Sequence, residues 1–240
     1  MRGTISSIRP WKAGINVSSV SMSNNGNVLY AGGTVGPSSV LVYSGNGGVR
    51  VDQSVFWAGN NSLRPQVVLS DSGGIAYLIT GLANEPSALS VNSGTGWSPR
   101  ESARHWRAIA CSGDGTKAVA GAYYDGNLFY GYLPLPGELY TTEDSGTTWL
   151  KRSGPGAQRW QALAYSKDGK VILGGVTGGG LWISRDSGLT WIVRLASPGR
   201  EWQTVAASAD GKVLAAAGNN TKIWTSYDMG DTWKEQANSA

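Results

Sequence analysis

The sequence predicts an all-β chain folded as a five-bladed β-propeller of four-stranded antiparallel blades. Three observations predict it. Two different turn motifs alternate strictly along the chain, five times each; the segments between them read as short strands; and no stretch carries sustained helical periodicity.

The first motif is a Ser-x-[Asp/Asn]-Gly type turn. It occurs as SNNG (Ser23–Gly26), SDSG (Ser70–Gly73), SGDG (Ser112–Gly115), SKDG (Ser166–Gly169) and SADG (Ser208–Gly211), and the five serines stand 47, 42, 54 and 42 residues apart. The second motif is complete at Thr142/Asp144/Gly146/Trp149, Ser184/Asp186/Gly188/Trp191 and Ser226/Asp228/Gly230/Trp233. It is weakened at Ser90/Asn92/Gly94/Trp97 and decayed at Ser44/Asn46/Gly48/Val51.

The strands follow from what lies between. WRAIACS, WQALAYS and WQTVAAS run into the first turn, and KAVAGA, KVILGG and KVLAAAG leave it. ELYTTED, GLWISRD and KIWTSYD lead into the second, and TWLKRSG, TWIVRLA and TWKEQAN leave that one. Asp-Gly and Asn-Gly pairs between such runs are hairpin signals. The many Ala, Gly and Ser residues of the first two strands suit close contact between sheets. Each repeat is therefore a four-stranded meander. One meander cannot bury both of its faces, and radial stacking of meanders solves that. The reading is a single domain over 1–240, with repeats at about 9–54, 55–102, 103–154, 155–197 and 198–240. A closed ring is expected, with TWKEQAN as the last outer strand and residues 3–8 (GTISSI) paired beside it.

Bulk composition sets limits on function. The 240 residues include 35 Gly and 11 Trp, with 15% charged side chains and a net charge of +4. Such a chain has ample material for a core and is not a self-repelling disordered one. The mild positive charge does not by itself predict nucleic acid, and no specific nucleic-acid partner is expected. A single cysteine, Cys111, allows no internal disulfide framework, and the single histidine, His105, makes no spaced metal-ligand set. No metal and no cofactor are expected. No apolar run is long enough for a membrane span, and MRGTISSIRP lacks the apolar core of a signal peptide. The compartment stays open.

The second motif resembles the Asp box, Ser/Thr-x-Asp-x-Gly-x-x-Trp, of the sialidase-like, BNR-repeat propeller superfamily. The resemblance covers all five repeats and is strongest in the last three. It specifies the superfamily and says little about activity. Its chemistry is that of folding. The Asp carboxylate accepts hydrogen bonds inside the turn, the Gly adopts positive φ, and the Trp ring packs between blades. Asp144, Asp186 and Asp228 are read as structural. The resemblance implies that this hairpin lies on the face away from the ligand site.

The opposite face then holds the crossings from each outer strand to the next inner strand. These contain Arg9 with Trp11, Arg64, Arg104 with Trp106, Arg159 with Trp160, and Arg200 with Trp202. A propeller brings the five crossings into one circle. Arginine is a planar fork suited to carboxylate, sulfate or phosphate, and an adjacent Trp offers a stacking platform. The competing structural reading stacks each Arg on a neighbouring ring as a spacer between blades. The third repeat adds a long aromatic loop, AYYDGNLFYGYLPLPGE, with Tyr124, Phe129, Tyr130 and Tyr132 as candidate contacts.

Three functional readings remain. The first is a non-catalytic recognition module, lectin-like or gripping another anionic ligand. The second is a protein-assembly scaffold, since the photosystem II assembly factor family also combines Asp-box-like repeats with an arginine-rich face. The third is a sialidase-like glycosidase. For the third, carboxylates outside the turns are few: Asp52, Glu85, Glu101, Asp125, Glu138 and Glu201. SIRPW is the nearest fragment to the sialidase Arg-Ile-Pro start, and it departs from it. GGVTGGG joins two strands and opens no helix, so it makes no phosphate loop.

Overall fold

The structure is a computed structural model of the chain and describes residues 15–35, 38–47, 53–57, 65–82, 85–94, 96–125, 135–195, 199–219 and 222–237. All regular structure among them is β. β1 (Asn16–Met22), β2 (Leu29–Val35), β3 (Ser38–Ser44) and β4 (Gln53–Trp57) form one antiparallel meander. β5 (Gln66–Leu69), β6 (Ala76–Leu82), β7 (Glu85–Asn92) and β8 (Trp97–Cys111) continue it, followed by β9 (Ala118–Asp125), β10 (Leu135–Pro136), β11 (Leu139–Thr142) and β12 (Leu150–Arg152). β13 (Trp160–Tyr165), β14 (Ile172–Val176), β15 (Leu181–Ser184) and β16 (Ile192–Leu195) make a second four-stranded meander. β17 (Trp202–Ala207), β18 (Leu214–Gly218), β19 (Trp224–Ser226) and β20 (Lys234–Glu235) make another.

The strands from β5 to β12 form one eight-stranded sheet because β8 serves two neighbours. Its first half pairs with β7, from Trp97 opposite Asn92 to Arg104 opposite Ser87. Its second half pairs with β9, from His105 opposite Tyr124 to Cys111 opposite Ala118. The crossing between the second and third repeats is thus itself strand. Glu101, at φ 52°, makes the corner.

Four apolar cores join successive meanders. Tyr30 and Leu41 pack on Val67, Leu69 and Leu78. Tyr77, Leu89 and Val91 pack on Trp106, Ile109 and Trp149. Val119 and Leu139 pack on Trp160, Ile172 and Trp191. Val171, Leu173 and Ile183 pack on Trp202 and Leu214. A belt of backbone hydrogen bonds ties the first turns together along the same path. Asn24 N–H donates to Asp71 C=O at 2.8 Å, Asp71 to Gly113 at 2.6 Å, Gly113 to Lys167 at 2.9 Å, and Asp168 to Ala209 at 3.0 Å.

The expected closure is not seen among the described residues. β1 packs on β5, and β17 packs on β13 and β14, but no core joins the first sheet to the last. Val20 and Met22 on β1 are 60% and 57% exposed. Small residues let the sheets approach closely at their contacts. A side chain on Gly121 would meet Trp160 Cβ at 2.7 Å, and one on Gly175 would meet Trp202 Cβ at 2.7 Å. TWKEQAN supplies the last outer strand β20, as expected; its expected partner, residues 3–8, lies outside the described residues.

Candidate functional site

Both kinds of turn lie at one end of the sheets. In four of the repeats the second turn donates a backbone bond to the first: Gly47 to Asn27 at 2.8 Å, Ser145 to Thr116 at 2.9 Å, Ser187 to Lys170 at 3.1 Å and Met229 to Lys212 at 3.0 Å. At the other end, the crossings meet the loops that join second to third strands. Gln158 N–H donates to Gly137 C=O at 2.8 Å, Thr177 to Arg159 at 3.0 Å and Gly178 to Arg200 at 2.8 Å. The arginines of the crossings therefore stand opposite the carboxylate turns.

The three complete carboxylate turns share one wiring. Thr142 Oγ1 donates to Asp144 Oδ1 at 2.8 Å and accepts from Gly146 N–H at 3.0 Å. Thr148 donates to the same carboxylate from N–H at 2.9 Å and from Oγ1 at 2.7 Å. Ser184, Asp186, Gly188 and Thr190 repeat this, as do Ser226, Asp228, Gly230 and Thr232. The Thr148 hydroxyl is the main reason the Asp144 carboxyl is held down at about 2. Asp228 is lowered in the same way, first by Thr232. At Asp186 partial burial opposes the effect, but Thr190 and Ser184 together still lower it. These carboxylates are fully occupied inside their own turns. Gly146, Gly188 and Gly230 have φ of 81°, 92° and 89°, which glycine adopts without strain. Trp149 and Trp191 are buried, and Trp97 and Trp233 are partly buried against the neighbouring cores.

On the crossing face, three arginines each lie over an aromatic ring. Arg104 covers Tyr140 with Cζ 4.6 Å from the ring centroid. Arg159 covers Tyr124 at 5.5 Å. Arg200 covers Trp224 at 4.7 Å and Trp202 at 5.7 Å. Arg104 also approaches Glu101 at 3.9 Å. Arg159 is exposed, whereas Arg104 and Arg200 are half-buried. Nη1 of Arg200 is buried without a hydrogen-bond partner among the described residues. Beside it opens a cleft of about 630 Å³ lined also by Glu201, Lys222, Trp224 and Glu235. Glu201 accepts from Asn219 Nδ2 at 3.0 Å, and Lys222 pairs with Glu235 at 2.9 Å.

The expected stacking platforms are placed differently. Trp106, Trp160 and Trp202 are 5%, 0% and 0% exposed, so their rings fill the cores between sheets and offer no surface to a ligand. A bulge causes this. The register shifts between Trp160 and Ala162, between Trp202 and Thr204, and around Trp106, so two residues face one on the partner strand. The Trp turns inward and the residue after it turns out. Arg107, Gln161 and Gln203 are those next residues. Arg107 Nε donates to Gln161 Oε1 at 3.2 Å, and Gln161 Nε2 to Gln203 Oε1 at 3.1 Å. This polar row runs from one inner strand to the next; its signal in the sequence was only the position after each Trp. Of the remaining candidates, Tyr124 sits against Tyr123, His105 and Arg159. Arg9, Trp11, Arg64, Phe129, Tyr130 and Tyr132 lie outside the described residues.

No family model and no curated protein matches the chain. Solved structures do match its fold. A GH74 xyloglucanase from Xanthomonas campestris superposes with TM-score 0.64 at 17% identity, over 95% of this chain and 39% of that one. YCF48 bound to D1 peptide gives TM-score 0.59 at 20% identity, over 93% of this chain and 67% of that one. A nidogen/laminin complex gives 0.61 at 11% identity, over 92% of this chain and 80% of that one. A GH74 enzyme from Niastella koreensis is matched over only 31% of its length, so the chain spans about a third of such an enzyme. At these identities the likeness concerns the fold, which is that of propeller proteins.

Proposed function

We propose that the chain is a single five-bladed propeller module of Asp-box type whose crossing face recognises an anionic ligand without catalysis. The observation that carries this is the repeated placement of Arg104, Arg159 and Arg200 over aromatic rings on that face, with Arg200 lining an open cleft. An aromatic ring fixes the guanidinium plane, so that its N–H edge can meet a carboxylate or sulfate lying in that plane. Among the described crossings the rings of Trp106, Trp160 and Trp202 are buried and offer no platform to a neutral sugar, which supports a carboxylate-bearing polypeptide segment as the ligand. Two of the structural neighbours were solved with a peptide or protein bound, which accords with it. The described carboxylates of this face, Glu101, Glu138, Glu201 and Glu235, are engaged by Arg104, Lys151, Asn219 and Lys222, which supports recognition over glycoside hydrolysis.

Fluorescence anisotropy with acidic, neutral and basic peptides of one length tests this, with a sialylated oligosaccharide as a further probe. The acidic peptide binds best, binding weakens with salt, and Arg159→Ala/Arg200→Ala reduces it about tenfold or more, on the scale of losing charge-assisted hydrogen bonds. Equal binding of the three peptides, or an unchanged affinity in the double variant, overturns the proposal. Preference for the oligosaccharide returns the face to a glycan-binding role.

A further inference from the structure

We infer that two copies of this chain associate head to tail, the last sheet of one docking on the first sheet of the other. The inference is independent of the ligand proposed for the crossing face.

Repeat equivalence carries it. The residue three places before the landmark serine faces the preceding sheet in every later repeat: Val67 and Ile109 are 2% and 4% exposed, and Leu163 and Val205 pack against their cores. The same position in the first repeat is Val20, at 60% exposure. The residue just before the serine behaves alike. Leu69, Cys111, Tyr165 and Ala207 all pack on a preceding sheet, whereas Met22 is 57% exposed.

The last sheet shows the opposite vacancy. Val171 and Leu181 in β14–β15 territory are 2% and 0% exposed because the last sheet covers them. Their equivalents one repeat on, Val213 and Ile223, are 40% and 55% exposed. The two open faces are therefore the two halves of a contact the chain already makes four times within itself. The glycine of the first turn fits the same scheme. A side chain on Gly73, Gly115 or Gly211 would strike the preceding repeat at Val28, Ile75 or Val171 within 3.0 Å, but one on Gly26 would meet only Met22 Sδ of its own strand, at 3.9 Å. Among the described residues the backbone belt runs from Asn24, which donates to Asp71, to Ala209, which accepts from Asp168, and no further. A second copy supplies the missing complement, with Gly26 of one chain seated at Val213 of the other. Such an interface is heterologous, and its two sides are different surfaces.

The asymmetry gives the test. Val20→Asp blocks one side and Ile223→Asp the other. Sedimentation of the wild-type chain over a concentration series shows dimers or larger species. Each variant alone is monomeric, and an equimolar mixture forms a complex of two chains that does not grow, because only one intact pair of faces remains. Circular dichroism melts establish that each variant is folded, and Met22→Lys and Val213→Lys serve as the second pair if either aspartate variant is not. A wild-type chain monomeric at every concentration overturns the inference. So does association that survives the substitutions, or a mixture that stays monomeric.

Discussion

Thr148 binds the Asp144 carboxylate twice, from its backbone N–H at 2.9 Å and from its hydroxyl at 2.7 Å. With Thr142 bonded to the same group, the carboxylate organises a turn that would otherwise leave several donors unpaired. Asp144→Ala lowers stability by about 1 kcal/mol, a charge-assisted bond discounted for solvent screening at an exposed site. Urea denaturation measures it, and Thr148→Val gives a loss of the same sign.

Acid titration follows from the same bonds. The folded-state carboxyl of Asp144 lies at about 2, below the unfolded value of roughly 3.9. A depressed carboxyl contributes stability that is complete above the unfolded value and is lost as pH falls through the folded one. Asp186 and Asp228 are lowered too. The melting temperature therefore falls between about pH 4 and pH 2, and the slope flattens in the Asp144→Asn/Asp186→Asn/Asp228→Asn variant.

Trp191 has its indole N–H on Gly188 C=O at 3.0 Å and its ring 5.8 Å from that of Trp160. Trp191→Ala opens a cavity in the core between two sheets and costs about 3–5 kcal/mol. Peptide affinity of the remaining folded protein is unchanged, because the site lies at the other end of the sheet. A denaturation change below about 1 kcal/mol contradicts this placement.

Gly121 shows the reverse effect. Its added Cβ would stand 2.7 Å from Trp160 Cβ. Gly121→Ala destabilises by about 1–3 kcal/mol through overpacking. The loss persists in Gly121→Ala/Trp160→Phe, read in the same denaturation assay, because phenylalanine keeps the Cβ and Cγ that the new methyl meets.

Cys111 lies against the core between the second and third sheets, and burial pushes its thiol up to about 12. The thiolate is the reactive form. Labelling by a maleimide at neutral pH is accordingly slow in the native protein. It accelerates in Trp149→Ala, which loosens the same core.

The fold was legible in the sequence wherever a motif recurs with its own spacing. The serines of the first turn mark every meander, the aspartates of the second mark the last three, and β13–β16 and β17–β20 follow the 42-residue step directly. Two features were not legible. The direction of Trp160 depends on a bulge at its own position, and one extra residue inverts which side chain faces the core. Closure is a contact between the first and the last sheet, which are far apart along the chain, and no local motif records it. The arginines could be located at the crossings from sequence, but their rings could not: Tyr140 and Trp224 are on third strands, distant from Arg104 and Arg200 along the chain.

Each of the four cores joins meanders that are consecutive in the chain. A nascent polypeptide leaving the ribosome therefore never waits for a distant segment. Every new meander finds its docking surface already made, and the belt from Asn24 to Ala209 is laid down one bond at a time in the order of translation. The exposed apolar surface at any moment is that of the newest sheet and of the first, so the burden on chaperones stays constant however many repeats have been added.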